Sequence, residues 1–117
     1  MTGHRMLHDG MLANYLEVDP GNAGVIRPTK SPGMFPIVTT AAQTRTVPDP
    51  TRAGLTMMLA MKTDGGDCVV TAASTINAAG NTIMTFGDAG DFIELVSIPV
   101  GTGFKWRIAA NEGVALS

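Results

Sequence analysis

The sequence predicts an all-β fold: an antiparallel β-sandwich or small barrel preceded by an extended, proline-rich N-terminal arm. Three observations carry that expectation. Short runs of alternating apolar and polar residues recur over 55–116, separated by glycine turns. No window between those runs has the 3.6-residue period of an amphipathic helix. Ahead of them, Pro20, Pro28, Pro32, Pro36, Pro48 and Pro50 crowd a stretch rich in Gly and Thr. The expected division is therefore an arm over residues 1–50 and a β domain over residues 51–117.

At the N-terminus, Met6, Leu7, Met11, Leu12 and Tyr15 recur at spacings of three and four, which predicts one apolar helical face. Gly10 weakens such a helix by about 1 kcal/mol relative to Ala. A helix this short needs a surface to lie on. Over 19–50, proline lacks the amide donor and fixes φ, so the chain is expected to be extended, with turns at Pro20-Gly21 and Ser31-Pro32-Gly33. Val25-Ile26 and Met34-Phe35-Pro36-Ile37-Val38 are too apolar for an idle linker. They read either as edge strands or as anchors in a neighbour's groove.

The strand series begins with an apolar face at Leu55, Met57, Leu59 and Met61. A turn at Thr63-Asp64-Gly65-Gly66-Asp67 leads to Cys68-Val69-Val70-Thr71, which predicts a hairpin. A turn over 76–81 precedes a strand at 82–86, and Gly87-Asp88-Ala89-Gly90-Asp91 precedes another at 92–98. Pro99 is expected to stop that strand. After Gly101-Thr102-Gly103 comes the clearest segment, in which Phe104, Trp106 and Ile108 face one way and Lys105 and Arg107 the other. Asn111-Glu112-Gly113 then turns the chain into Val114-Ala115-Leu116. Phe104, Trp106 and Ile108 are the expected core or subunit-packing residues.

Composition narrows the function. The 117 residues are 44% hydrophobic and only 15% charged, where about a quarter is usual. Such a chain has little charge with which to cover its surface, which points to coverage by another protein. The apolar share leans on Ala, Val and eight Met, so the core of one chain is expected to be thin. A formal net charge of −2 with scattered Lys and Arg argues against a nucleic-acid partner. No apolar run approaches the roughly 18 residues of a membrane span, and no secretory signal is evident. Cys68, the one cysteine, sits in an apolar run and reads as a small core residue.

Candidate chemical sites are sparse. His4 and His8, beside Asp9, have the spacing of a helical metal pair, but a third ligand at fixed spacing is missing. Asp64, Asp67, Asp88 and Asp91 lie in glycine loops that could hold Ca²⁺, yet they lack the alternating ligands of a calcium loop and suit β-turns better. Glu94 is the only acid inside a predicted strand, without a carboxylate partner for glycoside chemistry. The glycines at 80, 87, 90, 101 and 103 open no helix, so no phosphate loop follows. Trp106 could be a sugar platform but alternates as core residues do. The expectation is a non-enzyme with no cofactor, no metal and no small-molecule substrate.

The run Val47-Pro48-Asp49-Pro50-Thr51, then Gly65-Gly66-Asp67, Ile76-Asn77, Gly80-Asn81-Thr82, Gly90-Asp91-Phe92-Ile93-Glu94-Leu95 and Phe104-Lys105-Trp106-Arg107-Ile108, resembles β domains of tailed-bacteriophage virion proteins. The likeness covers roughly residues 47–117. Among proteins of this size it most resembles capsid decoration, or cement, proteins. That resemblance implies a homotrimer made in the host cytoplasm, bound to the major capsid protein on the outside of the virion and bracing it. Met34, Phe35, Ile37 and Val38 of the arm are then the expected capsid anchors. An alternative is a head- or tail-fibre tip binding a host surface, which calls for long loops at one end; the loops here read as short. A small ligand-binding barrel is the third possibility.

Overall fold

A computed structural model of the chain describes residues 15–117. The apolar spacing at Met6, Leu7, Met11 and Leu12, and the His4, His8 and Asp9 group, lie outside the described residues. The described residues form nine strands: β1 (Gly24–Val25), β2 (Gly33–Val38), β3 (Gln43–Val47), β4 (Thr56–Thr63), β5 (Cys68–Ala72), β6 (Ile83–Phe86), β7 (Phe92–Val100), β8 (Gly103–Glu112) and β9 (Ala115–Leu116). They make two sheets, ordered β1-β3-β5-β6-β9 and β2-β4-β7-β8. The all-β expectation holds and the barrel does not, since neither sheet closes on itself. The purely antiparallel expectation is also corrected: β1–β3, β3–β5 and β2–β4 pair in parallel.

The two sheets face each other across one apolar core. Alternation along each strand sends Phe35 and Ile37, Met57, Leu59 and Met61, Ile93 and Leu95, and Trp106 inward from the four-stranded sheet. Val47, Cys68 and Val70, and Met84 and Phe86 come inward from the five-stranded one. Ile26, Ile76 and Val114 close the margins. The face predicted at Leu55, Met57, Leu59 and Met61 is the buried face of β4, and Cys68 is fully buried as expected.

The predicted hairpin between Leu55–Lys62 and Cys68–Thr71 is not one. β4 lies in one sheet and β5 in the other, so the turn over 64–67 crosses between layers. β4 already has neighbours on both sides, β2 and β7, which leaves β5 no place beside it. The turn before Phe92 crosses in the same way, whereas β5–β6 and β7–β8 are true antiparallel neighbours.

The arm boundary at residue 50 is a second correction. β1, β2 and β3 are integral to the sheets, and Phe35 (3% exposed) and Ile37 (0%) belong to this chain's own core. The edge-strand reading of Met34–Val38 is the one realised. Met34 and Val38 point their amides outward, to the Tyr15 carbonyl (2.9 Å) and to the Asp19 carboxylate (3.0 Å). Pro36 sits between them with the same outward direction, so its missing donor costs the sheet nothing. Pro99 does not stop β7 for a similar reason. The Ser97 amide bonds the Leu55 carbonyl at 2.9 Å, and two residues on, where Pro99 would point the same way, the facing chain lies ahead of the first residue of β4.

All four sheet edges are blunted. β1 and β9 are two residues long. Tyr15–Glu17 lies along β2, with Leu16 bridged to Met34. On β8, the Arg107 guanidinium donates to the carbonyls of Thr75 (2.6 Å) and Trp106 (3.1 Å), and the Ile108 amide donates to Ile76. Exposed strand edges invite pairing with other chains, and each of these devices discourages it.

Candidate functional site

Strand directions sort the loops into two groups. The turns at 39–42, 64–67, 87–91 and 113–114 gather at one end of the sandwich. The longer connections at 26–32, 48–55 and 73–82 gather at the other, with the β7–β8 turn. The sequence reading of uniformly short loops is thus corrected: the longer ones share one end, here called the open end.

The open-end loops are anchored individually. The Trp106 indole donates to the Pro48 carbonyl at 3.0 Å. Ser97, buried on the inner face of β7, accepts the Leu55 amide on its hydroxyl at 2.8 Å, and its carbonyl accepts the Gly54 amide. Those contacts fix both ends of the 48–55 loop and leave Thr51, Arg52 and Ala53 exposed between them. Glu17 holds the facing loop. Its carboxylate accepts the Thr29 amide (2.6 Å), the Thr29 hydroxyl (2.8 Å) and the Lys30 amide (3.1 Å), and Lys30 Nζ lies 3.7 Å away. Burial alone disfavours this charge, but the Thr29 and Lys30 hydrogen bonds outweigh it and keep the carboxyl below its ordinary pKa.

Between these loops run three adjoining clefts. The central one, of about 160 Å³, is lined by Arg27, Pro28, Pro48, Pro50, Leu55 and Trp106, among others. It shares Arg27 and Pro48 with a cleft of about 320 Å³ that also touches Val25, Thr71 and Ala73. It shares Pro28, Thr51 and Leu55 with a third, of about 280 Å³, flanked by Lys30 and Arg52. The result is a continuous groove across the open end.

Charge is divided between the two ends. The open end carries Arg27, Lys30 and Arg52, with Lys105 and Arg107 on the adjoining half of β8; its exposed acid is Asp49, whose carboxylate accepts the Ser74 hydroxyl. The closed end carries Asp64, Asp67, Asp88, Asp91 and Glu112 against Lys62. The small net charge hides a pronounced polarity.

A buried ion pair lies towards the closed end. Arg45 occupies an inward position of β3 and is 1% exposed. Its Nε and Nη2 donate to the two Asp19 oxygens at 2.8 and 2.9 Å. The remaining donors reach the carbonyls of Val38 and Thr44 and the Gln43 amide oxygen. Burial opposes the Asp19 charge, but hydrogen bonds from Arg45, Val38 and Gly21 hold its pKa below the ordinary range. Asp19 in turn raises Arg45. The neighbouring Cys68 thiol is pushed up by burial.

The residues singled out from sequence fall as follows. Of the expected anchors, Phe35 and Ile37 are sealed in the core and unable to reach a partner, Met34 is half-buried, and Val38 is 41% exposed. Leu16 (59%), bridged to Met34, and Val18 (84%) are further exposed apolar residues that sequence reasoning missed. Trp106 is core, with Phe104 and Ile108 half-buried on the same side of β8. Asp64 and Asp91 cap turns, accepting the amides of Gly66 and of Gly87 and Asp88. Glu94 is half-buried on the outer face of β7, opposite Met58. Among the described residues no group of three His, Cys, Asp or Glu is placed to hold a metal ion, and no helix is long and apolar enough to cross a membrane.

No protein-family model matches the chain, and no curated protein matches it.

Proposed function

We propose that the protein is a structural virion component: a capsid decoration protein that binds the outside of a major capsid lattice as a homotrimer and stabilises it. The observation that carries this reading is the absence of charge from the outer face of the five-stranded sheet. On the five-stranded sheet that face presents Val25, Thr44, Thr46, Val69, Thr71, Ile83, Thr85 and Ala115. On the four-stranded sheet it presents Met34, Pro36, Met58, Ala60, Phe92, Val96 and Ile98, with Glu94, Lys62, Lys105 and Arg107 as its charges. An uncharged sheet face of this kind suits coverage by protein, and with the edges blunted, face packing is the natural route to subunit contact. Three copies on one assembly would bind a repeating shell with avidity, since the second and third contacts become intramolecular. The protein acts in this reading by binding rather than catalysis.

The test is the mass of the purified protein in solution, followed by cosedimentation with empty shells. A trimer that pellets with shells, and not alone, is expected. A monomer that ignores shells would sink the reading. A second reading, a fibre tip binding a host surface, is favoured by one observation, the gathering of the longer loops at one end. It predicts binding to cells and none to shells.

A further inference from the structure

We infer that the open-end groove is a docking site for an extended acidic segment of a partner protein, in which an apolar residue is flanked on both sides by carboxylates. Three features converge on that chemistry. First, the cations are placed at both ends of the groove. Arg27 lines the central cleft and the one beside β3 and β5, while Lys30 and Arg52 line the third. Arg27 and Arg52 are exposed and make no ion pair with any described residue. Guanidinium groups of this kind favour carboxylates through paired, charge-assisted hydrogen bonds.

Second, the central cleft is mainly apolar; besides Arg27 its polar lining is Thr51 and Asp49, whose carboxylate accepts the Ser74 hydroxyl. Pro28, Pro48, Pro50, Leu55 and the edge of Trp106 wall the central cleft. It suits one aliphatic side chain, with the acids on either side reaching Arg27 and the Lys30–Arg52 pair. Third, three of the residues lining the central cleft are prolines, which offer no amide donors. Strand addition is disfavoured there, so side chains of a bound segment supply most of the contacts. The walls are also preformed, because Trp106, Ser97 and Glu17 pin the loops, and little ordering is needed on binding.

The groove chemistry stands on these contacts alone; naming the partner as the shell protein rests on the decoration reading. The test is an NMR titration of the full chain with a synthetic peptide in which one leucine is flanked on each side by two glutamates. Shifts are expected at the amides of Arg27, Thr51 and Leu55 and at the Trp106 indole. Affinity should fall by about tenfold between low and physiological salt, as exposed ion pairs are screened. It should fall by at least about tenfold in the double variant Arg27→Glu, Arg52→Glu. Thr51→Glu, on an exposed loop, should weaken binding without touching either arginine, and melting temperature confirms that each variant is folded. Absence of shifts, equal binding by the double variant, or equal binding of the lysine-for-glutamate peptide would overturn the inference. Tighter binding of an oligothymidylate of matched charge would overturn it in favour of a nucleic-acid surface. Loss of peptide binding with shell cosedimentation intact removes this inference alone. Peptide binding without cosedimentation removes the decoration reading alone.

Discussion

The two ends of the sandwich are built on opposite terms. At the closed end, turns pack directly on one another: the buried Thr39 hydroxyl donates to the Gly66 carbonyl at 2.6 Å and accepts the Gly65 amide at 3.0 Å. Gly65 and Gly66 lie against the backbone of 39–42 so closely that a Cβ at either would overlap it. At the open end, Gly54, Gly80 and Gly101 have positive φ and empty space around them. One end is a rigid closure whose residues serve stability. The other is a set of separately tethered loops with preformed clefts between them.

The largest expected effect is at the ion pair. Asp19→Ala leaves the Arg45 guanidinium buried without its counter-ion and should destabilise by about 3–5 kcal/mol, read by urea denaturation. A loss under about 1 kcal/mol would mean that Arg45 is reached by water, and the closed end would not be the rigid one. The pH dependence follows from the same groups. Folded-state pKa values of Asp19 and Glu17 lie below their ordinary values of 3.8 and 4.5, so their stabilisation is complete above those values. It is lost as pH falls through the lowered folded-state values, because the unfolded chain takes up protons first. Denaturation midpoints should therefore hold steady down to about pH 5 and fall below it, less steeply in Asp19→Ala.

A glycine pair sharpens the contrast at smaller scale. Gly65→Ala forces a methyl group into packed backbone and should cost about 3 kcal/mol. Gly54→Ala meets open space and pays only for its left-handed conformation, about 1 kcal/mol. Equal melting shifts in the two variants would erase the distinction between the ends.

Much of the fold was readable in the sequence, and the unreadable part has a single cause. Alternation at Met57, Leu59 and Met61, or at Phe104, Trp106 and Ile108, tells which side of a strand is buried. It does not tell which strand lies beside it, since partners are chosen by long-range packing. Hence the β4–β5 hairpin was expected and a crossing was found. Of the prolines of 19–50 only Pro36 lies in a strand, the edge strand β2, and nothing local tells that this edge belongs to the chain's own sheets, so Phe35 and Ile37 looked like anchors for a partner. Arg45 was hidden because its segment, Gln43-Thr44-Arg45-Thr46-Val47, has one inward apolar residue, and its counter-ion comes from a distant loop. The groove could not be read at all. It exists only because parallel pairing brings three separated loops to one end.

The order in which the strands enter the two sheets has a consequence for synthesis. The first five alternate between layers, so β1 waits for β3, β3 for β5 and β2 for β4, while β4 also needs β7. A nascent chain leaving the ribosome has neither layer complete until β8 and β9 have emerged. The local β7–β8 ribbon, with short loop closure, is the natural place for structure to start. The N-terminal strands are then secured late, and the apolar β2 segment stays without its sheet neighbour until β4 has emerged.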